Sequence, residues 1–121
     1  MSKAKVLLAE DDDTMVTLLK TLLKMEGFEV VAIQPDGDVV EAVKEEKPDI
    51  LLMDVYLSQQ SGLEILDQLR GMDDTANVRV IMSSGASVKE ECLNRGANGF
   101  LPKPYMPDDL ISILKQNILS A

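Results

Sequence analysis

The sequence predicts an α/β fold in which helices cover both faces of a parallel β-sheet. Within 121 residues, five short apolar runs are each followed by polar turn residues and then by apolar residues at helical spacing. Strands that alternate with helices in this way pair in parallel through right-handed crossovers. A chain of this length forms one domain with its own core, which we assign to residues 1–121.

Two strand–helix units are predicted in the first part of the chain. The apolar run Lys5–Ala9 predicts the first strand, and leucines at helical spacing after an acidic loop predict a helix that ends at Gly27. Residues 28–33 predict the second strand, which is ended by the turn residues Pro, Asp and Gly at 35–37. Three valines at helical spacing then predict a second helix that ends near Lys47.

Three more units follow. Residues 50–53 form a continuous apolar run, typical of a strand buried on both faces, and this strand ends at Asp54. The third helix lies between Gly62 and Gly71. The remaining elements are a strand at 78–82, a short helix at 88–95 capped by Gly96, a weak strand at 99–101, and a helix at Pro107–Leu119. The proline and two aspartates that open this last helix suit a first turn.

Five such units favour the flavodoxin-like, doubly wound (βα)5 arrangement with strand order 2-1-3-4-5. Pro102 supports an edge position for the fifth strand, because a proline there removes no hydrogen bond of the ladder. In this order the switch point lies between strands one and three, and ligands bind at the carboxyl ends beside it. We therefore expect Glu10 and Asp11, which follow the first strand, to lie next to Asp54.

The composition excludes several classes of function. A net charge of −9 argues against direct nucleic-acid binding, which needs Lys and Arg to neutralise phosphates. The absence of histidine removes His-based triads, His metal sites and a role as phosphohistidine donor. Cys92 is the only cysteine, so a buried free thiol is expected. No apolar run suits a membrane span or a signal peptide, so we expect a cytoplasmic protein without membrane contact.

Polar residues collect at the carboxyl ends of four predicted strands. Three carboxylates, Glu10, Asp11 and Asp54, would raise one another's pKa values unless a cation neutralised them, and Mg²⁺ fits best because it needs only one or two carboxylates. Ser84 and Lys103 end the next two strands. A carboxylate can attack phosphorus, and Mg²⁺, an ammonium and a hydroxyl would stabilise the transferred phosphoryl group. Each of these residues alone would also suit a helix cap, a turn or a solvated loop. The hypothesis of a phosphoryl-transfer site therefore rests on their all falling at the carboxyl ends of predicted strands.

The segments LLAEDDDTM, PDILLMDVYLSQQSG, VIMSSG and GANGFLPKP resemble the receiver domain of bacterial two-component response regulators, of the chemotaxis-type single-domain kind, over essentially the whole chain. The resemblance implies that Asp54 accepts a phosphoryl group from a histidine kinase or its phosphotransfer protein. It implies that Asp11, Asp54 and the backbone carbonyl of Tyr56 hold Mg²⁺, with Glu10 acting through water. Lys103 corresponds to the family's lysine, before a peptide bond that is often cis.

The resemblance also implies a switch. Ser84 would be the switch hydroxyl and Phe100 the switch aromatic residue, and phosphorylation would remodel the face formed by the fourth helix, fifth strand and fifth helix. That face would regulate a downstream partner or output domain, and a dimer, if one forms, would use it. The domain would catalyse only its own phosphorylation and dephosphorylation, so we do not expect an enzyme. We favour a free-standing regulator over a receiver cut from a longer protein.

Two positions depart from the usual pattern of the family. Ser58 stands where proline is usual, which predicts a less rigid loop after Asp54. Tyr56 and Ala86 flank the route by which water would reach an acyl phosphate, and we hypothesise that Tyr56 shields it, so that dephosphorylation is slow.

Three other classes of protein share some of these features but lack residues that they need. A flavin carrier needs a phosphate cradle and aromatic residues, but the first loop is EDDDT and aromatic residues are 3%. A dehalogenase-type phosphatase usually has a second acid where this chain has Tyr56. An EF-hand loop would need a mid-loop glycine and a closing glutamate. A receiver-like binding module that is never phosphorylated stays open as the alternative.

Overall fold

The computed structural model describes residues 3–34 and 36–119. The strands are β1 (Lys5–Ala9), β2 (Glu29–Ala32), β3 (Ile50–Asp54), β4 (Arg79–Ser84) and β5 (Gly99–Pro102). The helices are α1 (Asp13–Met25), α2 (Val39–Glu46), α3 (Gly62–Arg70), α4 (Lys89–Asn94) and α5 (Pro107–Leu119). The strands form one parallel sheet in the order β2-β1-β3-β4-β5, which confirms the predicted flavodoxin-like fold. The predicted turn residue Pro35 lies outside the described residues.

Helices cover both faces of the sheet, because alternate residues of the strands point to opposite faces. On one face, strand residues pack against α2, α3 and α4; this layer includes Leu7, Leu51, Val80, Val43, Leu66 and Cys92. On the other face they pack against α1 and α5; this layer includes Leu8, Leu52, Ile81, Leu23 and Leu114. Cys92 is fully buried, as expected from the sequence. Within the described ranges, none of the helices has the length and apolarity that a membrane span requires.

The four acidic residues that follow β1, residues 10–13, have two different structural roles. Asp12 caps α1, since its side chain accepts a hydrogen bond from the backbone N–H of Met15 at 3.1 Å. Asp13 lies in the first turn of α1, where its charge suits the positive end of the helix dipole. The ordinary interpretation of an acidic run therefore holds for these two residues, and Glu10 and Asp11 remain at the carboxyl end of β1.

The β4–β5 edge differs in detail from the predicted boundaries. β4 extends through Ser83 and Ser84, two residues beyond its apolar run, and both serines are buried. Their polar groups are satisfied: the Ser83 hydroxyl donates to the carbonyl of Leu101 at 2.8 Å. The carbonyl of Ser84 accepts the ladder bond from the backbone N–H of Lys103 at 2.9 Å, and Pro102, the register partner of Ser84, removes no bond to β4. The edge position predicted from Pro102 is confirmed.

Candidate functional site

The residues singled out from the sequence lie at one edge of the sheet. Glu10 and Asp11 directly follow β1, Asp54 is the last residue of β3, Ser84 is the last residue of β4, and Lys103 directly follows β5. Because β1 and β3 are neighbours in the sheet, the acidic loop and Asp54 lie side by side. The strand order thus assembles the site from segments that are distant in the sequence.

Lys103 is the centre of the site. Its Nζ donates to Oε1 of Glu10 at 2.8 Å and to Oδ2 of Asp54 at 2.8 Å. The side chains of Glu10 and Asp54 are only 10% and 14% exposed, so these ion pairs are poorly screened by water. Partial burial acts to lower the pKa of Lys103, but the hydrogen bonds and charges of Asp54 and Glu10 outweigh it and raise that pKa. Lys103 therefore carries its charge at neutral pH and neutralises part of the acidic group.

Asp11 takes a different partner. Its Oδ2 accepts a hydrogen bond from the backbone N–H of Ser58, on the loop between β3 and α3. Its own N–H donates to Oε2 of Glu10 at 2.9 Å. The described residues contain no group of three or more acidic, histidine or cysteine side chains arranged to hold a metal. Lys103 thus binds two of the three carboxylates, and the Ser58 amide binds the third.

The donor set nevertheless fits a hard divalent cation. The hydrogen bonds above engage Oδ2 of Asp11 and Oδ2 of Asp54. Neither bond uses Oδ1, so this oxygen of each carboxylate could bind a cation. Tyr56 pairs with Ser61 in an isolated β-bridge. The two backbone hydrogen bonds beside this bridge are accepted by the carbonyls of Val55 and Gln60, and neither is accepted by the carbonyl of Tyr56. Carboxylate and carbonyl oxygens are the ligands that Mg²⁺ prefers. Asp11, Asp54 and the carbonyl of Tyr56 could thus supply oxygen ligands to Mg²⁺.

Ser84 lies beside this cluster with its hydroxyl turned to the following loop. The side chain is 2% exposed, and its Oγ accepts from the backbone N–H of Ala86 at 3.0 Å. This contact matches the ordinary interpretation of Ser84 as a turn residue. Since Oγ acts as acceptor in this bond, the hydroxyl proton is left to be donated elsewhere. The peptide bond between Lys103 and Pro104 is cis.

Phe100 and Tyr56 differ in their surroundings. Phe100 is partly buried against the core layer of α2, α3 and α4, and it also lines a surface groove of about 600 Å³. The groove is also lined by Ser84, the β4–α4 loop, the start of α4 and Pro102. Tyr56, two residues after Asp54, is 64% exposed, so its side chain lies at the surface. The aromatic ring of Phe100 thus lies between the core and an open surface.

Sequence reasoning missed two residues beneath the site. Ser83 and Tyr105 line a small cavity of about 10 Å³ together with Asp54, Glu10 and Lys103. Burial raises the pKa of Tyr105, Lys103 lowers it, and Glu10 and Asp54 raise it, with a net upward shift. The alternation of side chains along a strand could have separated the two serines, since Ser83 and Ser84 must face opposite sides of the sheet.

Sequence comparisons relate the chain to proteins of one family. Residues 6–115 match the family of the response regulator receiver domain. The chain is 34% identical to the chemotaxis protein CheY of Listeria monocytogenes, over 93% of this chain and 96% of that protein. It is 32% identical to the transcriptional regulatory protein CpxR of Klebsiella pneumoniae, over 92% of this chain and 47% of CpxR, and so spans about half the length of that relative.

Solved structures show the same fold. The receiver domain of the sensor histidine kinase PA1611 from Pseudomonas aeruginosa, solved with a magnesium ion coordinated in the active-site cleft, superposes with a TM-score of 0.81 at 26% identity, over 97% of this chain and 98% of that one. The signal receiver domain of a signal transduction histidine kinase from Syntrophus aciditrophicus has a TM-score of 0.82 at 25% identity, over 98% and 92% of the two chains. The chain therefore belongs to the family of response regulator receiver domains.

Proposed function

We propose that this chain is a phosphoacceptor domain of a two-component system, in which Asp54 receives a phosphoryl group from a histidine kinase or a phosphotransfer protein. The observation that carries the proposal is the position of Lys103, whose Nζ lies 2.8 Å from an oxygen of Asp54 and 2.8 Å from an oxygen of Glu10. A lysine with a purely structural role could pair with a single exposed carboxylate. Here its charge is fixed against the carboxylate that would gain a phosphoryl group.

The transfer is a substitution at phosphorus. A carboxylate oxygen of Asp54 forms the new O–P bond as the N–P bond to the donor histidine breaks, and the histidine nitrogen keeps the electron pair. The negative charge on the phosphoryl oxygens then lies against the ammonium of Lys103. Mg²⁺, held by Asp11, Asp54 and the Tyr56 carbonyl with Glu10 acting through water, would supply further charge neutralisation. The magnesium ion coordinated in the active-site cleft of the related receiver domain of PA1611 supports Mg²⁺ as the cation.

The signal would pass through Ser84. A phosphoryl group on Asp54 offers the Ser84 hydroxyl new acceptor oxygens, and the hydroxyl would leave the amide of Ala86 to donate to them. Phe100 would then turn inward and change the face formed by α4, β5 and α5. This is a shift between two packed states, and its size is limited by the differential contacts of the phosphoryl group. A downstream partner or output domain would bind the changed face, which is also where a dimer would form.

In this role the domain acts in the cytoplasm and catalyses only its own phosphorylation and dephosphorylation. The net charge of −9 opposes direct binding to nucleic acid, so an effect on transcription would need another domain or chain.

The proposal is tested by intact-mass spectrometry after incubation with acetyl phosphate, with and without Mg²⁺. The Asp54→Asn variant is the control. We expect one phosphoryl adduct that requires both Mg²⁺ and Asp54. If no adduct forms under any condition, the chain is a receiver-like binding module that is not phosphorylated. An adduct that persists in Asp54→Asn would place the acceptor elsewhere.

A further inference from the structure

The loop between β3 and α3 contacts the candidate cation site through its backbone. The N–H of Ser58, at the exposed tip of this loop, donates to Oδ2 of Asp11. The two residues are 47 positions apart in the sequence. The contact uses only the main chain of Ser58, since the donor is its backbone N–H.

The loop that presents this amide is closed on itself. The N–H of Gly62 donates to the carbonyl of Val55 at 2.8 Å, and the N–H of Leu57 donates to the carbonyl of Gln60 at 3.2 Å. The Gln60 side chain also donates to the carbonyl of Gly37 at 3.1 Å, which ties the loop to the turn before α2. A donor held in this way has little freedom, so its bond fixes the orientation of the carboxylate that accepts it.

Asp11 and Asp54 are held in the same manner. An N–H donor engages Oδ2 of each: the Ser58 amide for Asp11 and the Lys103 ammonium for Asp54. In both residues Oδ1 is the oxygen left for a cation. Carboxylates that bind metals are themselves commonly hydrogen-bonded, and loss of such an outer partner weakens metal affinity about 10–100-fold.

We propose that the backbone N–H of Ser58 is a positioning group for the divalent cation, which it serves by orienting the Asp11 carboxylate. The inference rests on the proposed function, since it takes Asp11 as a cation ligand. Any residue with a backbone N–H can supply this bond, and proline cannot. The identity of residue 58 therefore sets the affinity for Mg²⁺ through the presence or absence of one amide proton.

The test compares three forms of residue 58. Ser58→Pro removes the N–H, an amide-to-ester replacement at the same position removes it with little change of shape, and Ser58→Ala keeps the N–H and is the matched control. Isothermal titration with Mg²⁺ gives the dissociation constant of each, and thermal unfolding without Mg²⁺ verifies that each is folded. We expect binding about 10-fold weaker in the proline and ester forms and unchanged in Ser58→Ala.

A second measurement uses the unaltered chain. Hydrogen exchange of the Ser58 amide, followed by NMR, should stay as slow or become slower when Mg²⁺ saturates the site. Faster exchange on saturation would show that the cation displaces the amide, and tighter Mg²⁺ binding by the proline and ester forms would show the same; either result overturns the proposal.

The remaining outcomes separate this inference from the proposed function. Equal affinity in all forms overturns the inference alone, because Mg²⁺ still binds. An unaltered chain that binds no Mg²⁺ overturns both. If every form gives a phosphoryl adduct on Asp54 with the same dependence on Mg²⁺ concentration as the unaltered chain, the proposed function stands and the proposed role of the Ser58 amide is refuted.

Discussion

The central ion pairs of the site make a quantitative prediction. Lys103→Met keeps most of the side-chain stem but removes the charge that holds Glu10 and Asp54. Exposed ion pairs contribute about 0–1 kcal/mol, whereas breaking a buried pair costs about 3–5 kcal/mol. The carboxylates are 10% and 14% exposed and the lysine 26%, which places these pairs between the two limits. We therefore expect the free energy of unfolding to fall by about 2 kcal/mol at pH 7.

A double-mutant cycle isolates the pair between Lys103 and Asp54. Urea unfolding without divalent cations, followed by circular dichroism, is measured for Lys103→Met, Asp54→Asn and the double variant. We expect a coupling energy of about 1–2 kcal/mol. Lys115→Met is the control, because its pair with Glu26 is 52% and 44% exposed and should contribute less than about 0.5 kcal/mol. A coupling energy within about 0.3 kcal/mol of zero, or a Lys103→Met variant more stable than the original, would refute the argument.

The pH dependence of this effect has a definite sign. The pKa of Lys103 is raised in the folded state, so its contribution to stability is complete below the pKa of the unfolded chain. The contribution is lost as the pH rises through the higher, folded value. The difference in stability between the original chain and Lys103→Met should thus stay constant on the alkaline side of neutrality and shrink only at strongly alkaline pH.

Three other predictions follow from the fold and the loops. Gly62→Ala would place a Cβ in steric clash with the carbonyl oxygen of Asp54, so it should lower the free energy of unfolding by about 2–4 kcal/mol. Gly85→Ala, with nothing within 4 Å of the added Cβ, should be near neutral in urea unfolding. Equal effects would contradict this. Burial raises the pKa of Cys92, so a thiol reagent should react in urea and hardly at all in buffer; rapid reaction of the native chain would count against it. Tyr56→Asn should shorten the lifetime of the phosphoryl group, measured by the decay of the adduct in intact-mass spectra, and an unchanged or longer lifetime would disprove the shielding hypothesis.

The fold could be predicted because its signals are local. The run Ile50–Asp54 is apolar up to its last residue, and this pattern specifies a central buried strand without reference to any other segment. The end of β4 is harder to predict, because its apolar run stops at Met82 and serine is also common in turns. Ser83 is tolerated inside the strand only because its hydroxyl reaches the carbonyl of Leu101 on the neighbouring strand.

The sequence predicts which residues reach this edge of the sheet, but not which donor binds each carboxylate. Glu10, Asp11, Asp54 and Lys103 reach one edge because parallel strands end together. Which carboxylate takes which donor depends on the reach of the Lys103 side chain and on the path of the loop through Ser58. Both are tertiary features, and no residue pattern near Asp11 reports an amide 47 positions away.

The backbone bond between Lys103 and Ser84 also limits which part of this edge is able to move. Because the Ser84 carbonyl is bonded to the amide of Lys103, and the Lys103 side chain is bonded to the acidic pair, the main chain of Ser84 is anchored to the site itself. A rearrangement that begins at Asp54 cannot slide β4 past β5 without breaking these bonds. Motion is left to the rotation of the Ser84 side chain and to the loop that begins at Gly85, where the space around the backbone is open. If Asp54 is phosphorylated as we propose, the carboxyl end of β4 should stay in place and the rearrangement should begin at Gly85.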